Sequence, residues 1–190
     1  MQILAHFSDP PSVSELGPLQ LIVHYFWQLC LFRRHPAELP GGHSNLLVIG
    51  LIYGLIVICA STLSYPSRNL VTTLSIVVVG LAIQVVLIFF LMWFKGFVDR
   101  TVAVIGNLLG ASALMTCLLL PINLILLQGT PGLLVSVADA LTWLWLGWWL
   151  CISGYVLARS INISIVQGAF IAFLIELLSV LASFSLFPEL

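Results

Sequence analysis

Residues 164–187 read SIVQGAFIAFLIELLSVLASFSLF, an apolar run with one charged residue, Glu176, near its middle. At about 1.5 Å per helical residue the run covers a hydrocarbon core of roughly 30 Å. An acid at a helix centre costs about 3 kcal/mol on insertion scales, whereas some 14 strongly apolar residues in the run return roughly 0.5 kcal/mol each. The segment therefore inserts, and its acid belongs in the bundle interior and not against lipid. Ala169, Ala172, Glu176, Ser179 and Ser183 share one helical face. The carboxyl thus projects from a stripe of small residues that lets another helix come close.

Four more runs of this kind precede it, at 46–64, 70–94, 102–127 and 136–158. The whole composition agrees with them: 61% of the 190 residues are hydrophobic and 7% are charged, where a soluble domain carries about 25% charged residues. A soluble globular fold is excluded. Six Lys and Arg against seven Asp and Glu leave a formal charge of -1, so nucleic acid is not an expected partner. The strands of a membrane barrel would be about 10 residues long with strict alternation, and neither feature is present. The predicted class is all-α, a polytopic membrane bundle of five spans.

Residues 16–32 are apolar but too short to span, and Gln20, His24 and Gln28 interrupt them along one line. Leu16, Leu19, Val23, Phe26, Trp27 and Cys30 fall opposite, which predicts an amphipathic helix in the membrane interface, starting near Pro18. Arg33 and Arg34 follow this stretch instead of preceding it, unlike the basic residues of a signal peptide, so the segment is read as retained. Residues 1–45 are then a tail, loose over 1–13, plus the interfacial helix, and 46–190 the five-span domain. With the N-terminus inside, Arg33, Arg34, Lys95, Arg100 and Arg159 stay in the cytoplasm and only Arg68 lies outside, with the terminal FPEL. Lys95, Asp99 and Arg100 read as a topology anchor. The triplet Asn162, Ile163, Ser164 falls in an inner loop and reads as a chance glycosylation match.

Counting depth along each span brings Glu176 (roughly 18 Å), Gln84, Ser112 and Trp148 (about 15 Å) and Thr116 (about 21 Å) to similar levels. These five form a candidate buried polar layer. One reading is a proton- or cation-sensitive site or a small polar pocket; the other is a neutral carboxyl acting as interhelical glue. The indole N–H of Trp148 needs an acceptor at that depth, which Glu176 or Gln84 could supply, unless the ring simply faces lipid. Gly50 and Gly54, Gly106 and Gly110, Gly154 and Ala158, and Gly168 and Ala172 are small pairs at packing distance, suited to internal packing or a homodimer. Asp139 reads as a first-turn acid facing the helix dipole.

Cys30, Cys59, Cys117 and Cys151 lie far apart and read as apolar fillers, and no two of His6, His24, His35 and His43 have i, i+4 spacing. No metal site is expected. A Gly-x-Ser-x-Gly elbow, a His-Glu-x-x-His pair and a Gly-rich phosphate loop are all missing, so no catalytic residue and no cofactor is assigned.

The stretches RRHPAELP, FVDRTVAVIGNLLGASALMTCLLLP and LTWLWLGWWLCISGYVLARS follow one another in a layout that resembles the bacterial branch of the Yip-domain family, over about residues 20–187. The Asp-Leu-Tyr-Gly-Pro stretch of the eukaryotic branch does not occur, so that branch's role with prenylated GTPases is not carried over. The resemblance implies a non-enzymatic protein of the bacterial cytoplasmic membrane that binds partners or organises the bilayer, with a homo-oligomer or other membrane proteins as partners. Two alternatives stand beside it: an accessory subunit of a larger membrane complex, and a small transporter or channel component using the Glu176 layer.

Overall fold

The computed structural model describes residues 18–39, 43–66, 69–127 and 132–186. The expected tail at 1–13, Leu16, Arg68 and the terminal FPEL lie outside the described residues. Six α-helices carry the fold: α1 Pro18–Cys30, α2 His43–Ser64, α3 Leu70–Lys95, α4 Thr101–Leu127, α5 Leu133–Ile161 and α6 Ile165–Leu186. Among the described residues there is no strand. Helices α2 to α6 are long and apolar enough to cross a membrane, and none of their ends departs from the expected runs by more than three residues.

Local chemistry sets the boundaries. The Asn69 side chain accepts from the Val71 amide and caps the start of α3. Gly96 ends that helix in the left-handed region, at φ 76°. Asn162, at φ 56°, does the same for α5, and asparagine is among the few residues that take this conformation at low cost. The asparagine of the apparent glycosylation triplet therefore has a structural task.

Chain neighbours are not all packing neighbours. Helix α2 packs on α4, α4 on α5, α5 on α6, α6 on α3 and α3 back on α2, so the five spans close into a ring in the order α2, α4, α5, α6, α3. The tightest seam joins α5 and α6. A Cβ added to Gly154 would lie 2.6 Å from the Ala169 amide nitrogen and 2.8 Å from the Ile165 carbonyl oxygen, and one added to Gly168 would strike the Gly154 backbone. Gly106 sits under Leu39 and Gly110 under the Phe26 ring, while Ala158 and Ala172 are both buried. A Cβ at Gly50 or Gly54 would meet nothing within 4 Å. Three of the four small pairs thus pack internally and the α2 pair does not.

Helix α1, with 13 residues, extends about 20 Å and is too short to cross. Its buried face is Ile22, Tyr25, Phe26, Leu29 and Cys30, whereas Val23 and Trp27 of the expected apolar face are 58% and 42% exposed. The expected face is corrected by a rotation of the helix. A polar stripe orients a helix at a water interface, but this helix is packed against α4, and there the fit of individual side chains decides. The Tyr25 hydroxyl donates to Asn107 Oδ1 at 2.8 Å, and burial, aided by Glu38, pushes its pKa up to about 12, so it stays a donor. Cys30 packs with Ala111, Met115 and Ile152, and burial pushes its thiol up to about 11. The docked stretch of α4, from Asn107 to Met115, lies roughly 9–21 Å from the start of that helix.

A helix end held at such depth must satisfy its last carbonyls without water. The Trp148 indole does this for α1, donating to the Cys30 carbonyl at 3.0 Å. The chain then turns through Phe32, at φ 59°, a costly conformation for a bulky side chain, with its ring edge-on to Tyr155 at 5.4 Å. Asn107, fully buried, donates to the Pro36 and Ala103 carbonyls at 2.8 Å each. One side chain on α4 thus holds both α1 and the turn after it.

Gly154→Ala is expected to lower the thermal midpoint in detergent and Gly54→Ala to leave it unchanged or raise it. Both substitutions gain about 1 kcal/mol of helix propensity, but only at Gly154 does the methyl meet backbone, where overpacking costs about 1–3 kcal/mol. Equal midpoints would contradict the α5–α6 seam.

Candidate functional site

All five spans place polar or aromatic hydrogen-bonding side chains in one layer. Counted from the end of the bundle that bears Lys95, Arg100 and Arg159, Tyr53 of α2, Gln84 of α3, Ser112 and Thr116 of α4, Trp149 of α5 and Glu176 of α6 lie roughly 15–23 Å deep. The Gln84 side-chain amide donates to the Glu176 carboxyl. Trp149 Nε1 donates to Ser112 Oγ at 3.1 Å, and four residues earlier on the same helix Trp145 Nε1 donates to the Met115 carbonyl at 3.2 Å. Further along α6, Ser179 Oγ donates to the Gly80 carbonyl at 2.9 Å, so α6 is bonded to α3 at two levels. The small stripe of α6 makes this approach possible: Ala172, Ser179 and Ser183 are buried, and at Gly80 an added Cβ would already touch Ser183 Oγ at 3.4 Å.

Glu176 and Gln84 border three adjoining cavities of about 40, 400 and 180 Å³. The largest runs from this pair along α5 to Thr142 and Asp139, walled by Tyr53, Trp143, Trp145 and Trp149 and bordered by Ser112 and Thr116. The residues lining the three cavities include two carboxylates, Glu176 and Asp139, and no Lys, Arg or His. The cations gather elsewhere. A separate cavity of about 330 Å³ at the opposite end is lined by His35, Asp99, Arg100 and Arg159, and Arg100 Nη1 donates to the Ser160 carbonyl at 3.0 Å there. Nearby, the exposed Arg34–Glu38 pair at 2.6 Å holds the Glu38 carboxyl below its ordinary range.

Of the five residues expected in the layer, Glu176, Gln84, Ser112 and Thr116 border the same cavity. Trp148 is corrected: its N–H goes to the Cys30 carbonyl and neither to Glu176 nor to Gln84. Its neighbour Trp149 lines the cavity instead, because successive helical residues point about 100° apart. Asp139 is corrected as well. Helix α5 starts at Leu133, three residues before the expected 136, so this acid lies beyond the first turn and borders the large cavity. Tyr53, Trp149 and Thr142 were not anticipated. Tyr53 carried a usable signal, since it is a hydrogen-bonding residue at the same depth as Glu176 in a span otherwise apolar at that level.

Chemically the arrangement offers a carboxyl held by an amide, hydroxyls and aromatic surface inside a water-sized or larger space, with no fixed positive charge. Among the described residues no group of three or more His, Cys, Asp or Glu comes together to hold a metal ion. Fold and interior together define an all-α integral membrane protein built around an acidic, aromatic cavity. The chain matches no protein-family model, no curated protein and no solved structure, so its site is read from its own geometry.

Glu176→Gln keeps size and hydrogen-bonding capacity and is expected to leave stability in detergent nearly unchanged. Glu176→Leu loses the bond to Gln84 and is expected to cost about 0.6–2 kcal/mol. A Leu variant as stable as wild type would contradict the α3–α6 bond.

Proposed function

We propose that the protein binds a small polar or cationic solute, or a proton, inside the five-helix ring, with Glu176 as the binding carboxyl, and so works as a small transporter or channel component or as a sensor of that solute. One observation carries the reading: the Glu176–Gln84 pair opens onto a cavity of about 400 Å³ to which α2, α3, α4, α5 and α6 all contribute. Interhelical glue needs a donor and an acceptor. It does not need a cavity beside them. An acid within a span otherwise marks ion or substrate paths, and this is the reading that the space around Glu176 supports.

A carbodiimide adds to a protonated carboxyl that it can reach. Dicyclohexylcarbodiimide applied to the membrane-embedded protein is expected to modify Glu176, as read by peptide mass, and Glu176→Gln is expected to remove that modification from a folded chain. An unmodified Glu176 under conditions that label Asp139 would show a sealed structural bond and overturn the reading.

The Yip-like reading, a protein that binds other membrane helices, draws on a different observation. The Gly50 and Gly54 positions of α2 have no neighbour that an added Cβ would meet, and Leu47, Leu51 and Leu55 beside them are more than 60% exposed. Orientation follows the same layout: the end that gathers Arg100, Arg159 and His35 is assigned to the cytoplasm of a bacterial inner membrane, because short loops rich in Lys and Arg stay inside. A reporter active only outside the cytoplasm is expected to be on when fused at Leu190 and off at Pro40. The reverse pattern would invert the assignment.

A further inference from the structure

We propose that the ligand of the large cavity is a small organic ammonium ion that enters at the Asp139 end and is held at Glu176; this rests on the interior-site reading above and names its ligand class. The sign of the charge comes first. Two acidic side chains, Asp139 and Glu176, line the cavity and no basic one does, so an anion finds no charge to offset its own, whereas a cation finds a carboxyl whose proton it can replace, and between apolar helices that attraction is poorly screened. A cation meets an acid at the rim and a second one at the floor. Asp139 and Trp149 are ten residues apart on α5, which separates the rim from the Glu176 layer by about 15 Å.

The walls then select among cations. Four aromatic residues, Tyr53, Trp143, Trp145 and Trp149, line the cavity. The N–H groups of Trp145 and Trp149 are already donated to α4, so what these indoles have left for a ligand is ring surface. Ring faces attract a weakly hydrated cation and give little to a metal ion, which asks for several oxygen ligands in place of its water. An ammonium carrying alkyl groups suits the walls and the carboxyl together. The volume sets the size: about 400 Å³ is near the lower end of small-molecule pockets. The hydroxyls of Thr116 and Thr142 stand beside the rings and can bond a hydroxyl or N–H on the ligand.

The test uses the purified full chain in detergent, with choline, tetramethylammonium and tetraethylammonium as probes and 3,3-dimethylbutan-1-ol as the uncharged isostere of choline. Isothermal titration is expected to show saturable binding of at least one ammonium, at least tenfold weaker binding of the isostere, and at least a tenfold loss in Glu176→Gln. Trp143→Leu replaces a ring that is 68% exposed, so it should fold, and it is expected to weaken ammonium binding about threefold. It carries the test should Glu176→Gln fail to fold, and an unchanged affinity in it would overturn the aromatic part of the proposal. If the isostere binds as tightly as choline and both lose affinity in Glu176→Gln, the ligand class is wrong and the interior site stands. If no ammonium binds, the class is wrong, and carbodiimide labelling still decides the interior site. Ammonium binding that is unchanged in Glu176→Gln would overturn both.

Discussion

A carboxyl at the middle of a transmembrane helix cannot face lipid, and the interior of this protein is arranged around that constraint. Glu176 turns inward from the small-residue face of α6 and is met by Gln84 of α3, while Ser179 bonds the Gly80 carbonyl of the same helix. These bonds join two helices that are far apart in the chain. Because α6 is also pressed backbone to backbone against α5 through Gly154 and Gly168, and α2 touches both α3 and α4, tying α6 to α3 closes the ring. What the ring encloses follows from the same fact. The small residues that let α6 approach its neighbours fill little volume, and space is left beside the acid, where Tyr53, Ser112, Thr116 and Trp149 reach it.

The second constraint is that backbone groups buried at membrane depth need partners from the protein. Helix α1 ends among α4 and α5: the Trp148 indole serves its Cys30 carbonyl, the Asn107 amide and the Tyr155 hydroxyl serve the Pro36 and Arg34 carbonyls of the turn after it, and its own Tyr25 hydroxyl donates to Asn107. Consecutive residues of α5 thus serve two sides of the fold, Trp148 holding α1 and Trp149 the polar layer. The tryptophans of α5 lie near its middle, away from the interfacial belt where this residue usually concentrates, and for Trp145, Trp148 and Trp149 the hydrogen bonds supply the reason.

Much of this was legible in the sequence because hydropathy and length are enough to place membrane helices, and depth follows from counting residues. The level shared by Glu176, Gln84, Ser112 and Thr116 needed only the rise per residue. Direction around each helix was harder to read. Counting placed Trp148 and Trp149 within one residue of the same depth and could not say which of them faces the cavity. The rotation of α1 escaped for a related reason: it is apolar on most of its surface, so packing against Gly110 and Asn107 outweighs its Gln20–His24 stripe. Asp139 was misread because the span was counted from Ser136, whereas the apolar Leu133, Leu134 and Val135 before it already belong to the helix. Small pairs showed where helices can approach closely and did not show which neighbour would arrive, so Gly154 and Gly54 looked equivalent.

The central claim is that the layer around Glu176 faces an accessible polar space inside the ring while residues at the same depth on the outside face lipid. It can be measured by placing single cysteines in a chain whose four native cysteines are replaced by alanine. Thr116→Cys borders the large cavity, and Leu55→Cys, at comparable depth on α2, is on the outer surface with 67% exposure. A small cationic methanethiosulfonate applied to intact membranes is expected to label Thr116→Cys and spare Leu55→Cys. Equal labelling of the two, or labelling of Leu55→Cys alone, would contradict the account.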